Sequence, residues 1–157
     1  MILHPESSPS RRVLMICHAF PPTGGPGVQR SLKFAKYLPE FGWRPYIWSA
    51  GPLRGLPPDT TLLAEIPTCA ERRTLPAAEW DRRLSTTGAL GWRVEAMLRG
   101  LLDRLVPDDC VDWALRSYGP MLRWARRERI DAIYSTYSPA SNHLLGLLLK
   151  QATGLPW

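Results

Sequence analysis

Lysine is nearly missing from this chain of 157 residues: Lys33, Lys36 and Lys150 stand against 17 arginines. A GC-rich genome produces so lopsided a ratio as readily as nucleic-acid binding does. A recognition-helix pattern and interleaved basic-aromatic strands are also missing, so nucleic acid is not expected as a partner. The net charge of +6 still favours anionic partners such as nucleotide phosphates or an anionic lipid surface. Cysteine is scarce too. Cys17, Cys69 and Cys110 are odd in number, far apart and outside any CxxC arrangement. That excludes a disulfide scaffold and a zinc ribbon, and points to reduced, packed thiols in the cytosol. No apolar run approaches the ~20 residues that span a bilayer. Met1–Glu6 lacks the basic start and apolar stretch of a signal peptide.

Two nucleotide-binding motifs are absent as well. No Gly-Lys pair exists, so there is no phosphate loop of the GxxxxGK[ST] type. Gly25-Pro26-Gly27-Val28-Gln29-Arg30 has arginine where a dinucleotide fingerprint needs its last glycine, and Trp48-Ser49-Ala50 supplies no carboxylate for a ribose. Nicotinamide binding is therefore disfavoured. No internal repeat is present.

What remains fits one α/β domain over 11–157, behind a polar, Ser/Pro-rich lead-in at 1–10 expected to be disordered. Val13–Cys17 is five apolar residues in a row, as in a strand buried on both faces of a parallel sheet. The Pro- and Gly-rich stretch Phe20–Gly27 predicts a loop. A helix opens near Val28, with Val28, Leu32, Ala35 and Leu38 on one face, and ends or kinks at Pro39 and Gly42. Pro45–Ser49 is a second strand, completing a βαβ unit. Five prolines break up 51–91, leaving long loops and a strand near Cys69–Thr74. Val94, Met97, Leu98, Leu101, Leu102 and Leu105 repeat at helical spacing. A further helix is expected over Asp112–Arg129, interrupted at Gly119-Pro120. Ala132–Ser135 is the next strand, and a helix follows from the Ser138–Ser141 segment to Gly154.

Two loops follow strand C-termini, the edge where parallel sheets bind ligands. In the first, Gly24, Gly25 and Gly27 would let backbone amides approach an anion, with the helix start and Arg30 adding positive charge. The same glycines also suit a tight turn with no ligand. In the second loop, Ser138 and Ser141 could hold a phosphate or a sugar hydroxyl, or simply cap the helix. His18 and His143 are candidate bases at these loops, though a lone histidine is more often just solvated or packed. Glu71 and Glu79 form an E-x7-E spacing, which one of seven glutamates meets by chance.

The string Phe20-Pro21-Pro22-Thr23-Gly24-Gly25-Pro26-Gly27-Val28-Gln29-Arg30, continuing to Lys36–Trp43, resembles the N-terminal domain of GT-B glycosyltransferases of family 4. Leu62–Pro67, Asp131–Thr136, Leu148–Lys150 and Gly154–Trp157 fit the same pattern. The resemblance implies a Rossmann-like acceptor domain, with Gly24, Gly25 and Arg30 in an interdomain cleft beside the donor diphosphate and the acceptor. It implies a retaining transferase of cell-surface glycan synthesis, with a nucleotide-sugar as co-substrate, a glycan or lipid-linked acceptor, and no metal or other cofactor. A C-terminal donor domain, not included in this chain, would bind the nucleotide-sugar. Thr136 stands where many relatives carry an acceptor-side histidine, so Thr136 joins His18 and His143 as a weak catalytic candidate. The expected location is the cytoplasm, with peripheral contact at the inner face of the membrane. A rival expectation is a non-catalytic module docking on anionic lipid through the 94–105 helix, with Trp92 and Trp113.

Overall fold

A computed structural model describes residues 11–53, 55–77, 108 and 110–157. Four strands form one parallel sheet: β1 (Arg11–Ile16), β2 (Trp43–Ser49), β3 (Glu71–Thr74) and β4 (Ala132–Ser135), in the order β3-β2-β1-β4. Parallel neighbours need crossovers, and helices supply them: α1 (Pro26–Tyr37) between β1 and β2, and α2 (Val111–Arg127) before β4. Helix α3 (Ser141–Thr153) follows β4. The chain is thus an α/β domain of the Rossmann-like, three-layer kind.

The central strand shows why five apolar residues occur in a row. Leu14 and Ile16 point to one face, where they meet Trp113, Met121 and Trp124 of α2 and Leu145 and Leu149 of α3. Val13, Met15 and Cys17 point to the other, against Val28, Leu32 and Ala35 of α1. Both faces of β1 are dry, so period-two alternation disappears from its sequence. On β2 the same division sends Tyr46 and Trp48 to the first core and Ile47 to the second. The rings of Tyr46 and Trp48 lie 5.4 and 5.8 Å from that of Trp124, and Trp48 Nε1 donates to Ser117 Oγ at 3.1 Å.

Some boundaries differ from expectation. Helix α1 starts at Pro26, two residues before Val28, because proline suits the first helical position. A 3-10 turn over Leu38–Phe41 then carries the chain to β2. Helix α2 is continuous through Gly119-Pro120 instead of interrupted. An interior proline costs about 3 kcal/mol. Trp113, Ala114 and Ser117 before it and Met121, Trp124 and Ala125 after it are all buried on one face. Burying those side chains outweighs the loss of one hydrogen bond. β3 is a short, charged edge strand, as an unpaired sheet edge requires. Beyond β4, the Pro156 carbonyl accepts from the Ile133 amide at 2.9 Å. The lead-in at 1–10 and the helix expected over 94–105 lie outside the described residues.

Candidate functional site

Because β1 pairs directly with β4, the loops that follow them emerge side by side at the C-terminal edge of the sheet. Arg30 of α1 ties them together: its guanidinium donates to the Tyr137 carbonyl. Arg30 therefore reaches across from the first loop to the second.

The glycine loop is built differently from a phosphate cradle. Thr23 Oγ1 donates to the Gly51 carbonyl at 3.2 Å, Gly24 N to Pro57 O at 2.9 Å, and Asp59 N to Pro22 O at 2.7 Å. These bonds zip the loop onto the 51–59 segment. A Cβ on Gly24 would stand 2.8 Å from the Pro57 carbonyl oxygen, so this glycine permits backbone against backbone. Its amide is committed and unavailable to a ligand. Gly25 precedes α1 with φ of 113° and ψ of 163°, a region reserved for glycine. Its carbonyl accepts from the Val28 and Gln29 amides at 3.2 and 3.3 Å. Pro26 has no N–H, and neither the Gly25 nor the Gly27 amide donates a hydrogen bond among the described residues. Of the three glycines expected at an anion, Gly24 is committed elsewhere, while the Gly25 and Gly27 amides keep that option.

The second loop holds an unexpected group. Ser141, the first residue of α3, donates its amide to Asp108 Oδ2 at 2.8 Å and its hydroxyl to Asp108 Oδ1. The Cys110 amide donates to the same carboxylate at 2.9 Å. A carboxylate thus already occupies the α3 N-terminus, where helix dipole and open amides favour negative charge. Ser141 cannot serve a phosphate as expected; Ser138 remains exposed. Asp108 escaped sequence reasoning because its target lies 33 residues away.

Thr136 is buried, and its carbonyl accepts from Asn142 Nδ2 at 2.8 Å. His143, in the first turn of α3, lies with Nδ1 2.8 Å from Ser135 Oγ. Trp157 Nε1 donates to that same oxygen at 2.7 Å. His143 is thereby held at the end of β4, its ring 6.3 Å from that of Trp157.

His18 lies at the end of β1, 7% exposed, its ring edge-on to Trp113 at 4.9 Å. Burial lowers its pKa from 6.5, with the Asp108 charge opposing. Its Nε2 is buried and has no hydrogen-bond partner among the described residues. Asn142 Oδ1, fully buried, has none among them either. Such atoms are rare in folded proteins and call for a water or a ligand hydroxyl. Asn142 directly follows Ser141 in the first turn of α3, but nothing in its type marks it out from its neighbours.

One sequence expectation needs adjustment. Trp113 is buried, with Nε1 donating to the Leu75 carbonyl at 2.8 Å, so it cannot anchor the chain on lipid. Trp92, Glu79 and the 94–105 helix lie outside the described residues. Glu71 has a structural partner, Arg44, at 2.7 Å. Among the described residues no cluster could hold a metal, and no helix is long and apolar enough to cross a membrane.

Compared with known protein families, curated proteins and solved structures, the chain matches none.

Proposed function

We propose that this chain is the acceptor-side half of a glycosyltransferase moving a sugar from a nucleotide-sugar to a glycan or lipid-linked acceptor. The observation that carries this reading is where the family-like string sits. Phe20–Arg30 forms the loop at the C-terminal edge of the central strand, tied by Arg30 to the β4–α3 loop. That edge is where an open parallel sheet takes its ligand. The nucleotide-sugar would be bound by a second domain facing the same edge.

The chain's own groups divide the work by chemistry. His18 Nε2 and Asn142 Oδ1 are buried polar atoms that a sugar hydroxyl would satisfy. Neutral His18 can hold that hydroxyl and take its proton as the new bond forms. Arg30 and the Gly27 amide face the developing negative charge of the leaving diphosphate.

Amide NMR of the 157-residue chain tests the reading, with mono- and disaccharides and a short-chain prenyl diphosphate sugar as probes. Saturable shifts are expected at Gly25–Arg30 and Thr136–His143. Shifts confined to other surfaces, or none with any probe, would overturn it.

A further inference from the structure

A second cavity, of about 370 Å³, lies on the α1 face of the sheet over the C-terminal ends of β2 and β3. Its walls include Phe20, Pro22, Ser49, Pro52, Arg72 and Thr74. The strand register explains the grouping. Ile47 pairs with Arg72 and Ser49 with Thr74, so Arg72 and Thr74 project to the α1 side while Arg73 projects to the other. The neighbouring arginines are occupied. Arg73 lies over the Trp124 ring at 5.0 Å, and Arg44 binds Glu71 and the Cys69 carbonyl, each at 2.7 Å. Among the described residues no carboxylate, carbonyl or ring takes the Arg72 guanidinium. Ser49 Oγ and Thr74 Oγ1 stand 3.4 Å apart beside it, a loose pair with spare hydrogen-bonding capacity.

The far wall is fixed. The bonds that zip Pro22–Gly24 onto Gly51–Asp59 hold Phe20 and Pro22 in place, so the cavity is formed before any ligand arrives. A guanidinium, two hydroxyls and an apolar wall match one kind of ligand.

We infer that this cavity binds a compact hydroxylated oxyanion, with Arg72 on its phosphate or carboxylate and Ser49 and Thr74 on its hydroxyls. Arginine grips either anion with two parallel N–H donors. The cavity shares Phe20 and Pro22 with the first loop, but its polar groups come from β2 and β3, so shifts at Ser49, Arg72 and Thr74 are read separately from those at Gly25–Arg30 and Thr136–His143.

Calorimetry and amide NMR on the 157-residue chain test the inference with four probes: glucose 6-phosphate, glucuronate, inorganic phosphate and glucose. Saturable shifts at Arg72, Thr74 and Ser49 are expected with the first two, weaker ones with phosphate, and none with glucose. The tighter of the phosphosugar and the sugar acid identifies the anion. Arg72→Gln should weaken binding about tenfold or more, the usual loss of a charged hydrogen bond. Thr74→Val should weaken it less. The Arg72→Gln melting temperature should not move, because Arg72 is exposed. Glucose binding as well as the anions, an unchanged Kd in Arg72→Gln, or no saturable shift would each overturn the inference.

Discussion

Asp108 grips Ser141, 33 residues further along the chain, through both the amide and the hydroxyl of that serine. Helix α3 has no side-chain cap from its own flank, so this distant carboxylate caps it. The contact also fixes where the approach to α2 meets the start of α3. Removing it leaves an orphaned amide and hydroxyl at a partly buried helix start. Asp108→Ala should therefore cost about 1–3 kcal/mol, the combined range for a lost cap and a lost charged hydrogen bond. Urea denaturation measures this, and an unchanged midpoint would show that the cap carries no stability.

The three loop glycines should separate cleanly by stability. Gly24→Ala drives a Cβ to 2.8 Å from the Pro57 carbonyl oxygen, and backbone must shift. Gly25→Ala meets no atom within 4 Å but is held at φ of 113°. A residue in such a region costs about 1–3 kcal/mol. Gly27 lies inside α1 with open space around it, so Gly27→Ala should stabilise by about 0.5–1 kcal/mol through helix propensity. Melting temperatures of the three variants decide the matter. A destabilised Gly27→Ala, or a neutral Gly24→Ala, would contradict this division.

Those glycines also mark how far sequence reasoning reached. The loop and its place after a buried strand were legible, because Val13–Cys17 and Phe20–Gly27 each carry a strong local signal. Their division of labour was not legible, since it depends on Pro57 and Asp59, which no local pattern links to Gly24. The adjacency of the two loops rests on the pairing of β1 with β4, which only the fold shows. The partner of Arg30 was not legible either, because a side chain of that length has several carbonyls in reach. Pro120 misled for a physical reason: interior proline is a strong local penalty, and only the tertiary burial of Met121 and Trp124 overrides it. Asp108 and Asn142 were missed because capping over 33 residues and burial without a partner are properties of the fold.

Glu65 clips α1 to the 3-10 turn at Thr60–Glu65. Lys36 Nζ lies 2.7 Å from Glu65 Oε2, and Lys33 binds the same oxygen. Hydrogen bonds from both lysines lower the Glu65 pKa from 4.5 to about 2. A carboxylate whose folded pKa is depressed adds stability above its unfolded pKa and loses it as pH falls through the folded value. Wild type should therefore exceed Glu65→Gln in melting temperature at pH 6, with the gap closing between about pH 4.5 and 2. A gap that persists at the acid end would place the effect in packing instead of charge.

His18 should show the same sign of pH dependence for a different reason. Burial against Trp113 disfavours the imidazolium and lowers the pKa from 6.5, while the Asp108 charge pulls the other way. The unfolded chain then takes up a proton that the folded chain refuses. Stability is complete above about pH 6.5 and falls as pH drops from there through the folded value. NMR titration of the His18 ring should place its midpoint below that of a histidine in water. Asp108→Asn should lower the midpoint further, because the charge favouring protonation is gone. A midpoint at or above the ordinary value would mean that burial does not hold His18 neutral at the sheet edge, and one indifferent to Asp108→Asn would mean that the Asp108 charge does not act on the ring. A cationic ring could donate to a ligand oxygen but could not take the proton of a sugar hydroxyl, and the role given to Nε2 would fall with it.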